Sequence, residues 1–293
     1  MHCCSRVIVC LSGLFLLLAS VPAAAGQDEA VDPDVLRKVR KLIKGTLEED
    51  AKDKEKAWTE IRSMGNLVTP GLVELCKQKE TTPAMLQSIM IALADSKDTR
   101  AGPALAELLK SPEPFVRKCA ARAMGDCNYK AGLEALEAMA LNPKEEEDVR
   151  LAAATAGAKM QSEKAVGVLN GLLKSPKSEI RSRAVYALGR YGGIKQVEAV
   201  EAMLADSEDG VREDTVEALT MLKEKRAWAG LIKALGDSNY RIRGKAMDAL
   251  QDLTKQKVDH EPKAWQEWWE KHKNDPEPAK DKKDKKEKLK ESF

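Results

Sequence analysis

Aromatic residues are scarce: 3 Phe, 4 Tyr and 5 Trp among 293 residues. A β-rich core draws on such residues, so a hydrophobic content of 43% supplied mainly by Ala, Leu, Val and Met argues for close-packed helices. Histidine is scarcer still. Only His2, His260 and His272 occur, too few for a multi-histidine metal centre, so no metal or cofactor is expected. A surplus of one charge is also missing: 49 Lys and Arg face 47 Asp and Glu, which leaves no polyanion footprint and argues against nucleic-acid binding. Of the six cysteines, Cys3, Cys4 and Cys10 fall in the first 25 residues. Cys76, Cys119 and Cys127 are odd in number and lack C-x-x-C spacing, which speaks against a disulfide framework and a zinc site. On one helix, Cys119 and Cys127 would stand about 12 Å apart, beyond disulfide reach. No G-x-S-x-G, H-E-x-x-H or Gly-rich phosphate loop is present.

The one long apolar run comes first. Residues 1–25 open with Arg6, continue from Val7 to Ala19 and end in Pro22-Ala23-Ala24-Ala25, the order of a cleavable secretory signal. The run falls short of the roughly 20 residues of a spanning helix. Cleavage after Ala25, a mature chain from Gly26 and a periplasmic or secreted protein without stable membrane insertion are therefore expected.

The rest of the chain is periodic. A β-branched residue followed by Arg recurs at Val116-Arg117, Val149-Arg150, Ile180-Arg181, Val211-Arg212 and Ile242-Arg243, with successive Arg spacings of 33, 31, 31 and 31. Three residues after each Arg stand Ala120, Ala153, Ala184, Thr215 and Ala246; six after stand Ala123, Ala156, Ala187, Ala218 and Ala249. These small residues share one helical face and let a neighbour approach closely. In phase with them run Leu105, Leu136, Leu169, Val200 and Leu231, each with apolar residues three and four positions on, the buried stripe of a second helix. Ser111-Pro112, Asn142-Pro143, Ser175-Pro176, Asp206-Ser207 and Asp237-Ser238 end these helices and offer caps for the next. A hairpin of about 31 residues cannot bury its own stripe, so the units must stack.

A unit reading D-x-x-x-x-[VI]-R-x-x-A-x-x-A-L-G, clearest at Ile180-Arg181-Ser182-Arg183-Ala184-Val185-Tyr186-Ala187-Leu188-Gly189, resembles the HEAT repeat of the short, PBS-lyase-like type. The likeness is strongest over 84–254, with degenerate copies around Met85-Leu86 and around Trp58, Ile61, Met64 and Gly65. It implies an all-α, right-handed α-solenoid of six to seven stacked helical hairpins over 57–254. The preceding 26–56 reads as an N-terminal capping helix and linker, in which Val35, Leu36, Val39, Leu42 and Ile43 share one face. Residues 255–275 read as a capping helix with Trp265, Trp268 and Trp269 at i, i+3 and i+4, a set that can also stack on a sugar or a peptide. Exported bacterial HEAT-repeat proteins look similar at Leu253-Thr254 and W-x-x-W-W. Residues 276–293 mix Lys, Asp and Glu without periodicity and are expected to be disordered.

In HEAT-like folds the ladder arginine bonds an acid or carbonyl of the adjoining turn, which makes Arg117, Arg150, Arg181, Arg212 and Arg243 scaffolding, with Asp206 set six residues before Arg212 and Asp237 before Arg243. HEAT-like hydroxylases hold two irons with several His-Glu pairs; this chain has one, His260-Glu261. The resemblance to phycobilin lyases lies in the repeat alone. The expected function is an exported, non-catalytic scaffold or adaptor that binds a protein or peptide on its concave face; the alternative is a HEAT-like lyase or hydroxylase with an unrecognised site. With that face assigned to the second helices, Glu134, Glu137, Glu198 and Glu201 form acidic ridges beside Asn170 and Gly167, suited to a basic or extended peptide.

Overall fold

The computed structural model describes residues 31–78, 80–258 and 261–275. The expected signal 1–25, the charged tail 276–293 and His260 lie outside the described residues. Those residues contain fifteen α-helices and no strand. In order these are α1 (Pro33–Gly45), α2 (Ala51–Met64), α3 (Thr69–Lys77), α4 (Pro83–Ser96), α5 (Gly102–Leu108), α6 (Pro114–Asp126) and α7 (Leu133–Leu141). Then follow α8 (Glu147–Lys159), α9 (Glu163–Leu172), α10 (Ser178–Tyr191), α11 (Val197–Ala202), α12 (Asp209–Leu222), α13 (Lys225–Ala234), α14 (Tyr240–Thr254) and α15 (Pro262–His272).

Even-numbered helices form one layer and odd-numbered helices the other, since α4, α6, α8, α10, α12 and α14 each pack on the next in turn. From α2 to α14 the helices alternate between the layers, with α1 added against α2 and α3 at the start and α15 against α13 at the end. The chain is an all-helical solenoid. α2 already begins at Ala51, inside the stretch expected as linker.

The two columns read from the sequence are the core. Leu105, Leu136, Leu169, Val200 and Leu231 are fully buried, as are Ala120, Ala153, Ala184, Thr215 and Ala246. Thr215 is tolerated there because its hydroxyl donates to the Val211 carbonyl at 2.7 Å. Each buried leucine contributes about 1.5–3 kcal/mol, and it reaches full burial only when the flanking repeats are in place.

The small residues set the spacing of the even-numbered layer. A Cβ placed on Gly125 would sit 2.7 Å from the Ala156 Cβ, and one on Gly189 would sit 2.5 Å from the Ala218 Cα. Here α6 meets α8, and α10 meets α12, backbone against side-chain stub. Neighbouring even-numbered helices pack more closely than neighbouring odd-numbered ones, and in a two-layer stack the more tightly spaced layer lies inside the bend, so the even-numbered helices form the inner face. This corrects the assignment of the concave side to the second helices.

The turn residues also differ from expectation. α6, α8, α10 and α12 are preceded directly by Glu113, Glu146, Lys177 and Glu208, none of which caps with its side chain. The expected caps stand farther upstream and close the turn on itself. Ser111, Asn142, Ser175, Asp206 and Asp237 each accept from the backbone N–H two residues on, at 2.8–3.3 Å.

Candidate functional site

Each ladder arginine is placed by its helix's first turn, four residues into the element, where its guanidinium lies over the preceding loop. Nη1 donates to two carbonyls of that loop: Ser111 and Pro112 for Arg117 (2.7 and 2.8 Å), Asp206 and Ser207 for Arg212 (2.9 and 3.4 Å). Arg181 repeats the pattern on Ser175 and Pro176, and Arg243 on Asp237 and Ser238. Nε and Nη2 reach forward to the next repeat's carboxylate. Arg117 pairs with Glu145, Arg181 with Asp206 and Arg212 with Asp237, at 2.7–3.2 Å. Asp206 and Asp237 thus give their carbonyls to the arginine six residues on, in keeping with the shared offset, and their carboxylates to the arginine of the preceding repeat.

The guanidiniums hold the Glu145, Asp206 and Asp237 carboxyls below the usual carboxylate range. Side chains in these three pairs are only 6–17% exposed. Arg150 departs from the pattern: its Nε donates to the Ala140 carbonyl at 3.0 Å, and Ser175 stands where Asp206 and Asp237 stand in later repeats. The two extra residues of the 33-residue spacing lengthen its loop and carry the carbonyls away.

A cavity of about 430 Å³ opens on the inner face across α6, α8, α10 and α12. Its walls include Ala152, Ala156, Tyr186, Tyr191, Arg122 and Thr155. A polar tie joins each pair of helices along this face. Lys159 Nζ meets Asp126 at 2.8 Å, Arg183 Nη1 meets Asp148 at 2.6 Å, Ser182 donates to Asp214, and Lys245 Nζ meets Glu213 at 2.6 Å. The hydrogen bond from Arg183 lowers the Asp148 pKa. Arg122 is exposed, and Tyr186 is 37% exposed. The buried column had hidden this surface from the sequence reading, although the residue five places after each ladder arginine marks it.

The residues expected to bind lie on the opposite layer, and most are engaged. Glu137 accepts from Ser162 and Lys164 at 2.7 and 2.8 Å, and the Lys164 hydrogen bond lowers its pKa. The Asn170 amide donates to Gln196 Oε1 at 2.7 Å, and Glu201 lies 4.0 Å from Lys233 Nζ. These three tie α7 to α9, α9 to the turn before α11, and α11 to α13. Glu134 and Glu198 remain exposed on the same layer. Three of the five residues of the expected acidic trough thus serve as inter-repeat ties.

At the far end Trp265 is fully buried, and its Nε1 donates to Met247 Sδ at 3.2 Å. Trp268 packs edge-on to Trp265 at 5.6 Å and stacks on His272 at 4.6 Å. Trp228 joins them, 6.1 Å from Trp268 and 6.2 Å from Trp269. Lys225 Nζ donates to the His272 and Asp275 carbonyls, closing the C-terminus of α15. The cluster covers the end of the last hairpin. Cys76, Cys119 and Cys127 are free thiols. Among the described residues no group of three His, Cys, Asp or Glu side chains can hold a metal, and no helix is long and apolar enough to cross a membrane.

Stacked hairpins in two layers with an open inner groove define an α-solenoid repeat protein. The sequence model described as HEAT repeats matches residues 69–147 and 140–220, and the chain belongs to this family. No curated protein sequence matches it. Among solved structures, YibA of Escherichia coli is similar at 17% identity and a TM-score of 0.51, covering 85% of this chain and 99% of that one. Human deoxyhypusine hydroxylase is 16% identical with a TM-score of 0.37, covering 76% of this chain and 98% of that one. The CpcE–CpcF phycocyanin lyase complex of a Nostoc species is 17% identical with a TM-score of 0.42, covering 73% and 94%. At these identities the likeness concerns the fold alone.

Proposed function

We propose that this protein is an exported, non-catalytic scaffold or adaptor that binds a protein or peptide partner on the inner face of its solenoid. One observation carries the reading: the 430 Å³ groove spans four successive repeats and presents Tyr186 and Arg122 to solvent. A partly apolar groove flanked by polar ties suits the recognition of an extended chain. The export part rests on the order of charge, apolar run and Ala-x-Ala in residues 1–25.

The test is capture of partners from the extracytoplasmic fraction with the wild type and with a Tyr186→Ser, Arg122→Ala variant, identified by mass spectrometry. A partner retained by the wild type and lost by the folded variant supports the groove. Equal capture by both would move the binding surface elsewhere. A native N-terminus near Gly26 supports export, and a chain beginning at Met1 in the cytoplasm would remove that part. The other reading, a HEAT-like lyase or hydroxylase, gains no argument from the two enzymes of similar fold, and stoichiometric iron in the purified protein would revive it.

A further inference from the structure

The inner face is not uniform along the solenoid. Successive residues of an α-helix turn by about 100°, so the positions two before and one, two, five and nine after each ladder arginine share an arc turned away from the buried columns. On α6, α8 and α10 these positions hold Lys118, Arg122, Lys159, Arg183 and Arg190 against Asp126, Asp148 and Glu179. On α12 and α14 they hold Glu213, Asp214, Glu217, Asp248 and Asp252 against Arg241 and Lys245. The chain's near-zero net charge conceals a face that is basic at one end and acidic at the other. The row five places on is the most open: Arg122, Glu217 and Asp248 are exposed, and Tyr186 stands between the two ends beside the groove.

Resting on the reading of this face as a binding groove, we infer that it recognises an extended peptide segment with segregated charge: acidic residues at one end, basic residues at the other and an apolar or aromatic residue between them on Tyr186. Dimensions fix the spacing. Helices packed at about 8–10 Å put three intervals, roughly 24–30 Å, between Arg122 and Glu217, which an extended chain at about 3.3 Å per residue spans in about seven to nine residues. Tyr186 lies two intervals from Arg122, so the central residue falls five or six positions from the acidic end. Field lines from the two ends align such a segment before contact, and an interleaved segment of equal composition gains no such alignment.

The probe is a fluorescein-labelled twelve-residue peptide with a Glu pair at one end, a central Trp and an Arg pair at the other, tested with its charge-reversed order and an interleaved isomer. Anisotropy titrations use the full-length mature protein at low and physiological salt. One of the two segregated orders should bind about 10-fold or more tighter than the interleaved isomer, and the preference should shrink with salt. Arg122→Glu should lose that preference, and a peptide with Lys in place of its Glu pair should recover binding to the variant. Circular dichroism checks that this exposed substitution leaves the fold intact. Equal affinity for all isomers would overturn the charge-order inference. If the isomers bind equally while the native partner is still lost on Tyr186→Ser, the groove stands and only the charge order falls; if that variant also keeps its partner, the groove reading fails with it.

Discussion

Arg212 and Arg243 occupy the same position in adjacent repeats, yet the structure gives them different work, and replacing each by Ala measures the difference. Arg212 is 11% exposed and donates to the Asp206 and Ser207 carbonyls, to both Asp237 oxygens and to Asp209. Asp237 is 8% exposed, so truncating its partner strands a buried carboxylate. Breaking a buried pair in this way costs about 3–5 kcal/mol. The Asn239 N–H still donates to Asp237 at 2.8 Å, which places the loss near the lower end, about 3 kcal/mol. Arg243 is exposed and donates only to the Asp237 and Ser238 carbonyls, worth about 1 kcal/mol. For about 240 folded residues, the melting temperature should fall by roughly 6–12 °C in Arg212→Ala and 2–4 °C in Arg243→Ala. Local unfolding in a solenoid makes amide exchange in α12 to α14 the companion readout. A double-mutant cycle of Arg212→Ala with Asp237→Ala should return a coupling of about 2 kcal/mol. Equal losses from the two arginines, or a coupling below about 0.5 kcal/mol, would refute the claim that the forward carboxylate joins the repeats.

Three further outcomes follow from the same contacts. Gly189→Ala should destabilise by about 1–2 kcal/mol, because its Cβ meets the Ala218 backbone, whereas Gly244→Ala has open space and should stabilise by about 0.5–1 kcal/mol; urea titrations separate the signs. Acid should unfold the protein through the ladder. Glu145, Asp206 and Asp237 have folded pKa values below their unfolded ones, so their stabilisation is complete above the unfolded values near 4 and fades as pH falls through the folded ones; Asp237→Asn should flatten the acid limb of stability against pH. Burial pushes the Cys76 thiol up to about 12 and the Cys127 thiol to about 11, while Cys119 is less deeply buried. Iodoacetamide should therefore modify Cys119 first in the native protein, and mass spectrometry of early time points showing Cys76 or Cys127 ahead would contradict the packing.

The sequence by itself determined the repeat, its period and its core. Leu169 and Ala184 are buried because each recurs in phase along a helix, and a helical period fixes which residues share a face without reference to any distant contact. The positions of Arg117, Arg181, Arg212 and Arg243 were legible for the same reason, as was the terminal helix with its three tryptophans. Tertiary structure alone decided which carboxylate each arginine meets, since Asp237 lies 25 residues beyond Arg212 and arrives only when the next repeat stacks. It also decided which layer lies inside the bend. That choice follows from how closely Gly125 and Ala156, or Gly189 and Ala218, let paired helices approach, a sum over many repeats that no single stripe encodes. For the same reason Glu137, Asn170 and Glu201, exposed on any isolated hairpin, became ties between neighbours, and Tyr186 with Arg122 came to face the open groove.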